Sequence, residues 1–415
     1  MTICVLRNFY FRETKVKMNA RAPRYPCGQR YYGMVSLFCL VFLGFAAHLF
    51  GASSYRILPI GDSITVGYTN NPSWTVPFEF GYRSGLYTRL AAGGMAFQFV
   101  GTSAEPWNGT FGVPSNTPAL DLRNVSQDFC RGYGGMGTAY IATNIGAWLT
   151  TDTPDIILLM VGINDIGAGS SAEPTAAETN LSNIVSTIVT NLPNAYVLVA
   201  QITPYSSYTD AIVKYNNYIK NTLVPGFVTQ GKRVSTVDQY ANMLVPGTTA
   251  IDTALFSNGI NHPNAVVYDR MAQTWLTGMK ALSLPSVWSG VAVTAAAGSV
   301  MNLSSLAFTA GKLNQFGDPM SGVPVVTWAV TAGSGSITSL GIFTPTAVGS
   351  ATITASATTD AGVRSRSLTV SVTSSSAGTG SSSSSSGHCG IGGGVASLMI
   401  ATMAAACLIL RVVRR

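Results

Sequence analysis

The sequence predicts an α/β domain built on a parallel β-sheet, followed by a small all-β domain. Five short apolar runs have the length and composition of buried parallel strands. Helical patterns separate these runs, and strands that alternate with helices favour a parallel sheet covered on both faces. After Leu284 the helical periodicity disappears, and Thr, Ser, Val and Gly dominate. This change of composition marks the boundary between the two predicted domains.

The strands and helices of the first domain, residues 55–284, follow from the spacing of apolar side chains. The predicted strands are residues 56–60, 97–101, 156–161, 196–201 and 233–237. The predicted helices are residues 176–192, 210–224 and 264–282. Pro193 and Pro225 are expected to end the first two helices, because proline lacks the backbone N–H that a continuing helix needs.

The second domain, residues 285–372, is predicted from strand-like runs that turn residues separate. These runs are residues 303–309, 325–330, 351–357 and 367–372. The segments around Phe316, Trp328 and Phe343 resemble bacterial Ig-like domains of group two, which implies a small β-sandwich. Because the domain contains no His and no Cys, we expect a spacer without chemistry of its own. Carbohydrate binding or adhesion is the alternative.

The N-terminal segment, residues 1–54, has the features of a signal peptide with a long basic n-region. Residues 1–33 are basic, and an apolar run of 14 residues begins at Met34. Small residues at 51–54 provide a cleavage site, and the run is too short to span a membrane comfortably. We therefore expect an exported protein, with an uncleaved N-terminal anchor as the alternative.

The C-terminal segments predict attachment to a bacterial envelope. Residues 373–388 form a flexible Ser/Gly linker. Residues 389–415 combine a glycine motif, about 16 apolar residues and a basic end, and they resemble bacterial C-terminal sorting signals. An apolar segment of this length with a basic end is expected to be a marginal membrane anchor, which is either cleaved off or kept in the mature protein. The expected location is the cell surface or the medium.

The net charge of +7 does not indicate a nucleic-acid-binding protein. Seven basic residues lie in residues 1–33 and three in the last five residues, whereas the rest of the chain is slightly acidic. Cys130 is the only cysteine in the predicted folded domains, and we expect it to be a packing residue. No group of His, Cys and carboxylate side chains has metal-ligand spacing, so neither a metal nor a cofactor is predicted.

A candidate nucleophile follows the first predicted strand. Gly61 permits a tight turn at the carboxyl end of this strand, where catalytic groups gather in α/β sheets, and Asp62 and Ser63 come next. A serine in this place is a nucleophile only if a base reaches it. The alternative is that both residues cap the next helix. The base is predicted to be His262, the only histidine expected in a folded domain, in a turn-rich loop before a helix.

Four motifs in order resemble those of the SGNH hydrolases, also called the GDSL-type esterase superfamily. They are Gly61-Asp-Ser63, the glycine block at residues 131–137, Gly162-Ile-Asn-Asp165 and His262-Pro263. The resemblance covers residues 55–284 and implies a flavodoxin-like three-layer sandwich with a five-stranded parallel sheet. Residues 81–90 and 99–102 are similar to acetylxylan-esterase-like members of carbohydrate esterase family three.

The resemblance implies a role for each motif. Ser63 would attack an ester carbonyl, and His262 would take the serine proton. The oxyanion would be held by the backbone N–H groups of Ser63 and Gly135 and by the side-chain amide of Asn164. Gly134 is the alternative to Gly135 as the second donor. The chain would then be an exported serine esterase.

The chain departs from the family at the residue that orients the histidine. The family carries an Asp three residues before this His, whereas this sequence has Gly259 there, and Asn258 is expected to stand in for the acid. An Asn accepts a hydrogen bond but offers no charge to the imidazolium. The preferred interpretation is a Ser63–His262 dyad in which a backbone carbonyl orients the ring, with Asp252 or Asp238 as alternative partners of the ring. The rival hypothesis is an impaired hydrolase domain that acts as a surface carbohydrate-binding or adhesion protein.

The expected substrate is an acetylated polysaccharide. Trp74 and Trp107 lie in loops of the first domain and are the candidate substrate-binding residues, because exposed aromatic rings stack on sugar rings. They could equally be loop anchors. Nothing resembles a lipid-binding lid, so short acyl groups are favoured over long ones.

Overall fold

Six parallel strands form the sheet of the first domain in the computed structural model. They are β1 (Tyr55–Gly61), β2 (Phe97–Phe99), β3 (Arg131–Gly132), β4 (Ile156–Met160), β5 (Tyr196–Gln201) and β6 (Val234–Asp238). Five of them lie in the order β2-β1-β4-β5-β6, and the short β3 pairs with the end of β1. This is the strand order of flavodoxin-like sheets. The α/β prediction is therefore confirmed, and β3 is the strand that the prediction lacked.

The structure describes residues 54–68, 80–102 and 122–374. The predicted signal peptide, nearly all of the linker, the C-terminal segment and both tryptophans proposed to bind substrate lie outside these residues. Within the described ranges, no helix combines the length and the hydropathy that a membrane span requires.

Seven α-helices of the described chain connect the strands. They are α1 (Ser63–Val66), α2 (Tyr82–Gly93), α3 (Thr138–Asp152), α4 (Thr175–Asn191), α5 (Asp210–Tyr218), α6 (Val224–Thr229) and α7 (Ala265–Lys280). Helix α4 ends before Pro193, as predicted. The expected stop at Pro225 is wrong, because a π-helical turn, Ile219–Leu223, leads from α5 directly into α6. Pro225 lies at the start of α6, directly after this π-helical turn, so the chain stays helical across the proline although Pro225 has no N–H to donate.

The core of the first domain lies on both faces of the sheet. All five side chains of β4 are buried, and successive side chains of a strand point to opposite faces, so both faces are covered. Helices α2 and α7 pack against each other, and so do α3 and α4. Trp275 of α7 is fully buried and contacts Tyr82 of α2, with ring centroids 5.7 Å apart. This packing fixes the carboxyl edge of the sheet, where the predicted site residues lie.

The second domain contains two sheets. Its strands are β7 (Trp288–Ala295), β8 (Ser299–Met301), β9 (Leu306–Asn314), β10 (Pro319–Met320), β11 (Thr327–Ala332), β12 (Gly335–Ile337), β13 (Ile342–Pro345), β14 (Gly349–Thr359) and β15 (Gly362–Thr373). One sheet holds β7, β9, β10, β12 and β13, and the other holds β8, β11, β14 and β15. Buried Phe308, Phe343 and Ile353 belong to its main core. The all-β prediction is confirmed, whereas the Ig-like assignment stays a prediction.

The two domains are in direct contact. The hydroxyl of Ser289 donates to the carbonyl oxygen of Gly93 at 3.0 Å, and this bond is buried. Phe316 packs against the core of the first domain and forms a β-bridge with Gly94. A Cβ on Gly93 would lie 2.7 Å from the Gln315 carbonyl oxygen, so the close approach requires glycine at that position.

Candidate active site

Ser63 lies at the carboxyl end of β1, as the first residue of α1. Gly61 is required before it, because a Cβ there would lie 2.2 Å from the Met160 carbonyl oxygen. The Asp62 side chain accepts a hydrogen bond from the Ile64 N–H at 2.9 Å and thereby caps α1. The capping interpretation therefore holds for Asp62, and it leaves the Ser63 hydroxyl available to another partner.

The partner of that hydroxyl is His262. Its Nε2 atom lies 2.8 Å from Ser63 Oγ, across 199 residues of chain, and the contact is buried. Burial of the ring lowers the pKa of His262 to about 4. The imidazole is therefore neutral near pH 7, which is the form that accepts a proton. The structure thus brings together the predicted nucleophile and the predicted base.

The other ring nitrogen of His262 has no hydrogen-bond partner among the described residues. Nδ1 is buried, and it forms no hydrogen bond with any described group. The ring is packed edge-on against Tyr68, with centroids 5.9 Å apart. In the tautomer that accepts the serine proton, Nδ1 carries the hydrogen. This arrangement is a Ser–His pair in which neither an acid nor a backbone carbonyl of the described residues accepts from Nδ1, which corrects the expectation that a carbonyl orients the ring.

Asn258 contacts the loop of the histidine and not its ring, which corrects the expectation that it accepts a bond from the imidazole. Its Oδ1 accepts hydrogen bonds from the backbone N–H groups of Ile260, Asn261 and His262, at 3.0, 3.0 and 2.9 Å. Its Nδ2 donates to Asn261 Oδ1 at 2.9 Å. Side chains of Asn commonly close tight turns in this way. Asn258 therefore shapes the backbone that presents His262.

The two alternative acids also lie away from the ring. Asp252 accepts from the Ala254 N–H at 3.1 Å, and Asp238 accepts from the Ala241 N–H at 3.0 Å. Each carboxylate thus accepts a hydrogen bond from a backbone N–H two or three residues further along the chain, as in a helix cap or a turn. The hypothesis that one of them orients the imidazole is wrong for the described structure.

The glycine block approaches the loop of Asn164. Gly135 has a φ of +74°, which favours glycine, and no atom of the described residues would lie within 4 Å of a Cβ there. Asn164 lies just after β4, and its Nδ2 donates to the carbonyl oxygen of Met136 at 3.0 Å. Because Met136 follows Gly135, two of the predicted oxyanion donors are neighbours.

Polar contacts hold both loops in place. Asp165 accepts from the Thr138 N–H at 2.9 Å and from its hydroxyl at 2.6 Å, which ties the Asn164 loop to the start of α3. In the glycine block, Arg131 forms a two-bond ion pair with Asp152, with distances of 2.7 and 3.0 Å. Both partners are buried, so the pair fixes β3 against α3.

The carboxyl group of Asp62 is buried and has an unusual acidity. Burial raises its pKa to about 7, and the nearby carboxylate of Asp165 adds to the effect. The side chain is engaged with the first turn of α1. This supports the prediction that Asp62 holds the turn rather than serving as a base.

Arg83 is a structural residue of the site that sequence reasoning missed. It is completely buried, and its guanidinium donates to the carbonyl oxygens of Thr65, Val66 and Asp128 at 3.2, 3.2 and 2.6 Å. Two of these carbonyls belong to α1, so Arg83 braces the helix that carries Ser63. The only sequence signal was an arginine within the motif at residues 81–90, and arginine is rarely buried.

A further loop at the same edge was also missed. Residues 203–209 follow β5, and Tyr205 donates from its hydroxyl to the carbonyl oxygen of Ile163 at 3.0 Å. Ser206 contacts Gly259 and Ile260 of the histidine loop through its hydroxyl and its N–H, each at 2.7 Å. No residue type in this loop carries a catalytic signature, so sequence reasoning had no basis for including it. Among the residues that the structure describes, no group of three or more His, Cys or carboxylate side chains could hold a metal ion.

A family model and several known proteins are similar to this chain. The model of the GDSL-like Lipase/Acylhydrolase family matches residues 60–270. A "Putative endoglucanase X" of Acetivibrio thermocellus is 35% identical over 98 residues, which are 23% of this chain and 38% of the relative. The chain therefore matches well under half of that relative's length.

Two solved structures illustrate the similarity further. A Clostridium thermocellum family 3 carbohydrate esterase is 26% identical, with a TM-score of 0.40, and the match covers 54% of this chain and 94% of that one. An acetyl xylan esterase from Geobacillus stearothermophilus is 16% identical, with a TM-score of 0.38 and coverage of 56% and 98%.

The family match extends over about half of the chain and includes the end of β1, Asn164 and His262. These are the segments that the fold brings to one edge of the sheet. The chain belongs to the GDSL-like lipase/acylhydrolase family.

Proposed function

We propose that this chain is a serine esterase that removes short acyl groups, above all acetyl groups, from polysaccharide. The observation that carries the proposal is the buried 2.8 Å contact between Ser63 Oγ and His262 Nε2. A nucleophile and a base within hydrogen-bonding reach are the minimum that acyl transfer requires. A degenerate binding domain has no need of this contact, so the contact favours the enzyme over the rival hypothesis.

The proposed reaction proceeds in two half-reactions. Ser63 Oγ attacks the carbonyl carbon of the ester while its proton moves to His262 Nε2, and a tetrahedral oxyanion forms. When the C–O bond to the alcohol breaks, His262 returns the proton to the leaving oxygen. A water molecule then attacks the acyl-serine with His262 again as the base. This second step releases the carboxylic acid and restores Ser63.

The oxyanion is proposed to bind between the end of β1 and the loop of Asn164. The donors are the N–H groups of Ser63 and Gly135 and the Asn164 amide. The contact of Asn164 with Met136 leaves the second hydrogen of its NH2 group for the oxyanion. Removal of one such donor typically costs about 3 kcal/mol of transition-state stabilisation.

The absence of a described acid at Nδ1 has a kinetic consequence. A carboxylate beside the ring would stabilise the imidazolium that forms during attack, whereas burial alone destabilises it. We therefore propose a dyad that turns over more slowly than a triad on the same scaffold would. The position of the ring then depends on the backbone of the loop, which the hydrogen bond from the His262 N–H to Asn258 holds in place.

Polysaccharide is proposed as the substrate on two grounds. The motif at residues 81–90 is similar to acetylxylan-esterase-like proteins, and a relative that is similar over 98 residues is named as a putative endoglucanase. Sequence features alone further support export and envelope attachment through residues 1–54 and 389–415. Trp74 and Trp107 remain proposed sugar contacts, and the second domain remains a proposed Ig-like spacer.

Initial rates with 4-nitrophenyl acetate and octanoate, measured for the wild-type chain and Ser63→Ala, test the proposal. We expect turnover that depends on Ser63 and favours acetate, together with acetate release from acetylated xylan. A preference for octanoate would reassign the substrate to lipids or thioesters. Equal inertness of both folded proteins would overturn the esterase.

A further inference from the structure

The loop at residues 203–209 offers a surface next to the reaction centre. Ser206 is hydrogen-bonded to the carbonyl oxygens of Gly259 and Ile260, which lie three and two residues before His262 in the sequence. On its other side, Tyr205 is bonded to the carbonyl oxygen of Ile163, beside Asn164. The loop is therefore held between the segments that carry the base and the oxyanion donor, and its position is fixed before any ligand arrives.

The tip of this loop exposes an aromatic ring. Tyr208 is 62% exposed, which is more than any other aromatic side chain in the described ranges. Ile260, on the histidine loop to which Ser206 is bonded, is 55% exposed. Two large side chains with apolar faces thus stand on two loops that are hydrogen-bonded to each other.

The chemistry of both loops indicates the ligand class. Residues 203–209 and 256–264 contain no Asp, Glu, Lys or Arg, and His262 is neutral near pH 7. Their polar groups are hydroxyls and side-chain amides, such as Ser207 and Asn261. A charged ligand would find no counter-charge on these two loops, because the neighbouring Asp210 is already paired with Lys214. Their hydroxyls and amides would interrupt the apolar surface that a long acyl chain needs. A neutral sugar ring matches both features, since it combines hydroxyls with an apolar C–H face.

We propose that Tyr208 and Ile260 form a sugar-binding subsite, which takes a ring of the polysaccharide that carries the ester. This proposal rests on the proposed function and adds the residues that recognise the polymer. Consecutive Cα atoms are about 3.8 Å apart, so the Tyr208 Cα lies within about 8 Å of that of Ser206. Both side chains are additional to the groups that are proposed to hold the ester. A polymeric substrate reaches the subsite, whereas 4-nitrophenyl acetate does not.

The test compares Tyr208→Ala with Tyr208→Trp and with a matched control in the full chain. The control is Tyr140→Ala, because Tyr140 is 36% exposed but its ring already contacts Tyr133 with centroids 5.3 Å apart. Loss of an aromatic stacking partner is expected to lower kcat/KM for acetylated xylan about fivefold to tenfold. Tyr208→Trp retains the activity, and the control leaves it unchanged. All variants hydrolyse 4-nitrophenyl acetate at the wild-type rate.

A binding measurement separates this proposal from the esterase proposal. Acetylated xylo-oligosaccharides are titrated into Ser63→Ala with and without Tyr208→Ala, and the second change is expected to weaken binding by a similar factor. Unchanged binding, no binding, or an equal loss on polymer and nitrophenyl ester would overturn the subsite. If the wild-type chain hydrolyses neither ester but the Tyr208-dependent binding persists, the esterase proposal alone fails.

Discussion

The role of Asn258 provides a sharp test, because two substitutions separate its contacts with the loop from a contact with the ring. Asn258→Ala removes one oxygen that accepts three backbone N–H groups. A neutral hydrogen bond contributes about 1 kcal/mol net, and water can replace part of what is lost at this half-buried position. We expect the activation free energy to rise by about 1–2 kcal/mol because the histidine loop is held less well. This corresponds to a fall of about tenfold in kcat.

Asn258→Asp is the discriminating variant. Its carboxylate retains an oxygen for the three N–H groups, so activity is expected to stay within about threefold of wild type. Initial rates with 4-nitrophenyl acetate between about pH 4 and about pH 8 measure this, with thermal unfolding to check folding. Asn191→Ala, at an exposed end of α4, is the control. A higher kcat in Asn258→Asp, with its acid limb moved upward in pH, would show a contact with the ring and refute this account.

Three further predictions concern the reaction centre. In the pH profile of kcat/KM, the fall on the acid side is expected at about pH 4, because burial lowers the pKa of His262 to about 4 and the neutral ring is the base. A fall between about pH 6 and about pH 7 would contradict this expectation. Asn164→Ala is expected to lower kcat about 100-fold with little change in KM, since its amide is proposed to bind the oxyanion only as it forms; equal effects on kcat and on binding of a product analogue would argue against that role. Asp62→Asn is expected to gain stability relative to wild type as pH rises. The pKa of Asp62 in the folded protein is about 7 and lies above its ordinary value of 3.8, so the free energy of unfolding of the wild type falls by up to about 4 kcal/mol as the pH rises between these values. Denaturant titration at both ends of this pH range measures the difference.

The positions of the reactive residues could be predicted because they depend on simple features of the sheet. Buried parallel strands are short and apolar, so the ends of β1 and β4 are visible in the sequence. Ser63 and Asn164 follow these ends directly. The scarcity of histidine made His262 the natural base, and the structure places it against Ser63.

The supporting contacts could not be predicted, because they depend on the direction in which a side chain points. The sequence is compatible with a hydrogen bond from either the imidazole ring or the backbone to the side-chain oxygen of Asn258. In the folded protein this oxygen accepts from the backbone. Nothing in the sequence distinguishes Arg83 from a surface arginine, and its structural role follows only from its hydrogen bonds to three backbone carbonyl groups. Strands as short as β3 and β10, with two residues each, are too brief to show periodicity.

The central claim is that Ser63 is the nucleophile, and covalent labelling tests it most directly. The intact chain is treated with an organophosphate such as paraoxon while activity on 4-nitrophenyl acetate is followed, and the modified peptide is identified by mass spectrometry. This account predicts one diethylphosphoryl group on Ser63, loss of activity in proportion to labelling, and no label in Ser63→Ala or His262→Ala. Full activity with no label on Ser63, or inactivation through a label elsewhere, would contradict it.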